Sequence, residues 1–84
     1  MKPKPRKKPV RHAERHYTVI LEPDAGGYHA FCPALPGCHT QGDTFEEAMK
    51  NIREAVELYC ESLLEDKEPL PVEDFIIRPL AISV

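Results

Sequence analysis

The sequence predicts a small α+β domain of order β-β-β-α-β, a two-layer sandwich in which one helix covers one face of a single sheet. Three observations carry that expectation. Short β-branched and aromatic runs alternate with turn residues in the first half of the chain. A long stretch beginning at Phe45 places apolar residues at helical spacing. Apolar, β-prone residues then return near the C-terminus. With 84 residues the chain holds one domain.

The first strand is expected in Tyr17-Thr18-Val19-Ile20-Leu21-Glu22, where β-branched and aromatic side chains dominate. Pro23-Asp24-Ala25-Gly26-Gly27 supplies a five-residue hairpin loop, and Tyr28-His29-Ala30-Phe31-Cys32 returns as the second strand. Pro33-Ala34-Leu35-Pro36-Gly37 interrupts it, with Pro36-Gly37 suited to a type II turn. Cys38-His39-Thr40-Gln41 is a short third strand ended by Gly42.

The helix signal is the strongest. Thr44-Phe45-Glu46-Glu47 is a capping box in which the Thr44 hydroxyl accepts from the Glu47 amide while the Glu47 side chain reaches back. Phe45, Ala48, Met49, Ile52, Ala55, Val56, Tyr59 and Leu63 share one face and are expected in the core. Leu58 lies off that stripe, either as an isolated exposed leucine or as a contact outside the core. Residues 45–64 would span about 30 Å. After a charged, proline-bearing loop, Phe75-Ile76-Ile77 and Leu80-Ala81-Ile82-Ser83-Val84 form a last strand, interrupted at Pro79 and parallel to the first.

The net charge of −3 conceals a segregation. Residues 1–16 carry seven basic residues against Glu14 alone, or 7 − 1 = +6; residues 17–84 carry four against thirteen acids, or 4 − 13 = −9. Residues 1–15 are expected to be a disordered basic arm, because three prolines alternate with cations and little apolar surface is available. Residues 16–84 form the folded domain. Its acidity repels nucleic acid and attracts basic protein surfaces. The N-terminus lacks the apolar stretch of a secretory signal, and no segment reaches the ~20 apolar residues of a membrane span. With three cysteines, Cys32, Cys38 and Cys60, these features predict reduced thiols in a cytoplasmic protein.

Taken together, the Tyr-Thr-Val strand, the Gly-Gly-Tyr hairpin return, Leu35-Pro36-Gly37-Cys38 and Thr40-Gln41-Gly42-Asp43-Thr44-Phe45-Glu46-Glu47-Ala48 resemble the HicB-like antitoxins of bacterial toxin–antitoxin pairs over residues 16–84. The resemblance implies a partial ribonuclease H-like sheet of order 3-2-1-4 with one helix. It implies as partner a small basic toxin, HicA, a messenger RNA cleaver that is itself like a double-stranded-RNA-binding domain. Many members also carry a C-terminal DNA-binding domain that represses their own operon. This sequence reaches Val84 directly after the expected last strand, so a short, single-domain member without that route of autoregulation is expected.

The sequence offers residues for three catalytic arrangements, each with a simpler reading. A zinc site would draw on Cys32, Cys38 and His39 with Cys60 and His29 converging as well, but zinc favours short-spaced ligand pairs, and Cys32 and Cys60 read more simply as small buried residues. A Cys–His nucleophile would pair Cys38 with His29 or His39, but strand alternation sends Cys38 and His39 to opposite faces and no orienting acid is evident. Two-metal nuclease chemistry would have only Glu22, Asp24 and Asp43 to draw on, and Asp43 suits a helix N-terminus. The sequence therefore predicts a protein-binding module rather than an enzyme, with no catalytic residues, cofactor or metal. It would neutralise a HicA-like toxin by covering its active surface through Leu35, Pro36, Gly37, His39 and Leu58. The competing reading is an orphan oligomeric domain whose arm binds nucleic acid non-specifically through Lys2, Lys4, Arg6, Lys7, Lys8, Arg11 and Arg15. A solvated tail accounts for the same cations equally well, and a third reading lays the arm on the acidic surface of a neighbouring subunit. A homodimer or dimer of dimers is expected, since the small body leaves apolar residues on its second sheet face.

Overall fold

A computed structural model describes residues 14–84. The expected basic arm, including Lys2, Lys4, Arg6, Lys7, Lys8 and Arg11, falls largely on residues 1–13, outside the described residues. Strands β1 (Ile20–Asp24), β2 (Gly27–Phe31) and β3 (His39–Gly42) precede helix α1 (Phe45–Glu65). The sheet is antiparallel in the order β1-β2-β3. Leu21 opposes Ala30 and Ile20 opposes Phe31; Phe31 in turn opposes His39. The α+β class is as expected: a three-stranded sheet followed by one helix.

The first hairpin is tighter than the sequence predicts. β1 continues through Pro23 and Asp24, and only Ala25 and Gly26 lie outside the pairing. Their φ values, 51° and 86°, are the left-handed pair of a type I′ turn, whose twist matches the flanking strands. In such a hairpin Asp24 and Gly27 form the hydrogen-bonded pair, so Pro23 occupies a position whose nitrogen faces away from β2. An edge strand tolerates proline there, which is why the proline does not end β1.

Alternation divides the sheet. Tyr17, Val19, Leu21 and Tyr28 pack with the fully buried Ala30 towards the helix. Cys32, Leu35, Cys38, Ala48 and Ile52 complete that core, with Met49, Ala55, Val56, Tyr59 and Cys60 partly buried around it. Phe45, expected in the core, is instead half-exposed and meets Tyr28 edge-on at 6.1 Å. It occupies the first helical position, ahead of the turn that enters the core. α1 lies over β3 and β2 rather than β1. Gly42 permits this approach: a Cβ there would stand 2.5 Å from the Ala48 nitrogen.

The capping box forms with one change. Thr44 accepts from the Glu47 amide at 3.0 Å, but the Glu47 carboxylate accepts from the Asp43 amide at 2.5 Å, one residue before the cap. Asn51 adds a bond the sequence did not reveal, donating to the Gln41 carbonyl at 2.8 Å and tying α1 to β3. At the other end the Lys67 amide donates to Leu64 and the Glu68 amide to Leu63. With Lys67 at φ 58°, this is a Schellman closure.

The expected fourth strand is the main correction. Among the described residues, 68–84 include no strand, and Ile76, Leu80 and Ile82 are 82%, 85% and 74% exposed. The segment begins beside β1 nevertheless. The Tyr17 hydroxyl donates to the Pro71 carbonyl at 2.6 Å, and Glu73 accepts from the Thr18 amide and hydroxyl at 2.5 and 2.6 Å. Beyond that latch the chain leaves the sheet.

Candidate functional site

The link between β2 and β3 is built from two successive turns. The Leu35 amide donates to the Cys32 carbonyl at 3.1 Å, and the Cys38 amide to the Leu35 carbonyl at 3.0 Å. Gly37, at φ 81°, takes the left-handed position that a type II turn places after Pro36. A third bond, from the Cys32 amide to the Cys38 carbonyl at 3.0 Å, closes the loop base. Leu35 is only 1% exposed, so its side chain anchors the loop in the core instead of presenting a contact. The loop is therefore a stiff projection with Pro36 and Gly37 exposed at its tip.

Two depressions flank it and share Gly37, Cys38 and His39. One, of about 370 Å³, runs between the loop and the C-terminal half of α1, where Ala55, Leu58, Tyr59, Ser62 and Leu63 line it. The other, of about 570 Å³, opens over the sheet face away from the helix and includes His29, Phe31, Pro36 and His39. There His29 stacks on Phe31 at 5.8 Å and lies 5.5 Å from His39. Pro36, Gly37, His39 and Leu58 are thus brought to one end of the molecule. Leu58 is 66% exposed on the groove. Arg15 lies elsewhere, on a depression beside Tyr17 and the latch segment.

Sequence reasoning missed Tyr59, Ser62 and Leu63 as groove residues and His29 and Phe31 as neighbours of His39. The i, i+4 spacing from Leu58 to Ser62 and from Tyr59 to Leu63 was the available signal for the helical wall. The His29–His39 approach needs the β2–β3 register, which the sequence does not state.

Burial pushes the Cys32 and Cys38 thiols above their ordinary value; amides of Ala34 and Leu35 partly offset this at Cys32. Tyr17 is likewise pushed up, chiefly by burial and secondarily by the Cys60 sulfur. Such groups stay protonated at neutral pH, as befits packing rather than nucleophilic roles. No group of three or more His, Cys, Asp or Glu side chains converges among the described residues. No helix among them is long and apolar enough to cross a membrane.

The electrostatics of α1 are lopsided. From Glu54 to its end it carries Glu54, Glu57, Glu61 and Glu65 with no basic residue. Lys50 pairs with Glu54 at 3.3 Å on the exposed face. Acids near a helix C-terminus add to the negative end of the helix dipole, so the C-terminal half of α1 is electronegative.

Comparison with known proteins places this arrangement. Residues 17–80 match the family model described as "HicB_like antitoxin of bacterial toxin-antitoxin system". The chain belongs to the HicB-like antitoxin family. Among its relatives, a UPF0150 protein of Synechocystis is 63% identical over 70 residues, covering 82% of this chain and 89% of the relative. A UPF0150 protein of Thermoplasma acidophilum is 52% identical over 56 residues, covering 66% of this chain and 81% of the relative. The chain is also 37% identical over 73 residues to "Antitoxin HicB 1" of Photorhabdus laumondii, covering 80% of this chain and 47% of that protein. Membership of a toxin–antitoxin family supports an antitoxin role.

Proposed function

We propose that this protein is a non-enzymatic, cytoplasmic antitoxin module that binds a small basic RNA-cleaving toxin, HicA-like, and covers its active surface. The observation that carries the reading is the groove between the 32–38 loop and α1. It sets apolar contacts, Leu58 foremost, against the C-terminal half of α1, the half that carries Glu57, Glu61 and Glu65 and no basic residue. Opposite charge speeds encounter, and desolvated apolar contacts hold the complex. A cationic partner surface also relieves the acids that add to the negative end of the helix dipole. Pro36, Gly37 and His39 supply the loop side of the contact, while Leu35 keeps the loop in place.

The test is co-expression with a small basic HicA-like toxin, scored by growth and co-purification. Leu58→Asp should weaken the complex by about 2 kcal/mol or more, roughly 30-fold in Kd, and abolish growth rescue with an unchanged helical spectrum. Full rescue by a folded Leu58→Asp protein would refute this placement of the interface.

A further inference from the structure

The sheet has an unfilled fourth position, and the chain carries an unplaced strand. Because α1 covers β3 and β2, a groove of about 390 Å³ stays open between α1 and the segment that leads into β1. Tyr17 and Val19, just ahead of β1, form one wall, and Met49, Ile52 and Val56 the helix wall, with Arg15, Arg53 and Glu57 also lining it. Hairpin alternation sends the Leu21 N–H and C=O outward along this edge, unpaired by β2. An open edge over an apolar groove is a template for one more strand.

The C-terminal arm, residues 75–84, has the matching character. Leu80, Ile82 and Val84 alternate with Ala81 and Ser83, giving one apolar face and one face of small residues. Its ten residues span about 33 Å when extended, enough to run the length of the five-residue β1. Asp74 and Arg78 cancel, so the arm from 74 onward is neutral and does not suit a charge-steered basic partner. The Glu73 latch fixes its start beside β1, yet from there it projects away from its own groove with its apolar side chains exposed.

We infer that the arm completes the sheet of a second copy of this chain: two copies exchange residues 75–84, each arm lying along the partner's β1 edge with its apolar face in the groove. Each copy presents both an arm and a slot, so one two-fold contact fills both grooves and buries both arms. Pro79 is tolerated because the added strand is itself an edge. The exchange is independent of toxin binding, whose groove lies at the opposite side of α1's packing, beside Gly37 and Leu58.

Light scattering on the full chain at micromolar concentration should give an even-numbered assembly of the 9.5 kDa chain. In a mixture of isotope-labelled and unlabelled copies, intermolecular NOEs should connect Val19 of one copy with Ile82 of the other. Leu80→Asp with Ile82→Asp should convert the assembly to monomers with unchanged helical content. A monomeric wild-type chain overturns the inference, as does an assembly that survives the double substitution. NOEs from Val19 to Ile82 confined to a single copy, meaning the arm folds back on its own sheet, overturn it as well. Should the double variant fail to fold, the wild-type NOEs alone decide.

Discussion

Lys67 closes the long helix in a conformation that side chains other than glycine disfavour. Its φ of 58° is imposed by the closure, in which the Lys67 and Glu68 amides satisfy the last carbonyls. A Cβ in the left-handed region costs about 1–2 kcal/mol, part of which glycine forfeits through its freer unfolded state. Lys67→Gly should therefore stabilise the protein by about 0.5–1 kcal/mol, seen as a higher urea midpoint at unchanged slope. A lower midpoint would mean that the lysine charge near the acidic helix end outweighs the backbone strain. Ala25, at φ 51°, carries a similar strain and is the reason the first hairpin is tighter than its composition predicts. Pro23 and two glycines imply a loose five-residue loop, whereas one left-handed alanine lets the strand run to Asp24. Backbone strain of that kind depends on the partner strand and leaves no mark in local composition.

At the scale of elements, legibility followed how local the determining contacts are. The helix was readable because Thr44, Glu47 and the apolar spacing lie within the segment they specify. The Leu35-Pro36-Gly37-Cys38 turn was readable for the same reason. Strand limits shifted by one to three residues because pairing sets them. Among the expected partner-binding residues, Pro36, Gly37, His39 and Leu58 line the depressions at the 32–38 loop, whereas the Leu35 side chain is buried, since loop residues do not reveal which side chain turns inward. The last strand has correct β character, yet a strand exists only when an edge receives it. What holds the start of that segment is the Glu73 carboxylate, whose pKa is lowered by its bonds from the Thr18 hydroxyl and amide. A lowered folded-state pKa contributes stability above the ordinary carboxylate value and loses it as pH falls through the folded value. The Thr18 amide shift should accordingly titrate with a midpoint below the ordinary glutamate range. In Glu73→Gln that titration should vanish. A Thr18 shift that stays flat in the wild-type protein would show that the latch does not form.

For the whole molecule the dominant fact is the separation of charge, +6 in residues 1–16 against −9 in the remainder. The two signs predict different partners for the two parts of one short chain. The acidic body matches the family to which residues 17–80 belong, and the groove at its loop end needs nothing from the N-terminus. The basic residues Lys2 to Arg15 precede that match. Any nucleic-acid affinity should therefore reside in residues 1–15 alone. Seven phosphate contacts would give a slope of log K against log salt approaching about −6 on duplex DNA, with no sequence preference, because neutralising phosphates reads no base. Deleting residues 1–15 should abolish that binding, and the −9 body should oppose whatever remains. Toxin neutralisation should survive the deletion within about twofold, since Leu58 and the 36–39 loop are untouched. Both properties can be measured on one truncated protein, by salt-dependent fluorescence anisotropy and by growth rescue. Loss of rescue with retained nucleic-acid binding would exchange the roles of the two parts. It would make the basic segment, rather than the acidic groove, the element that meets the toxin.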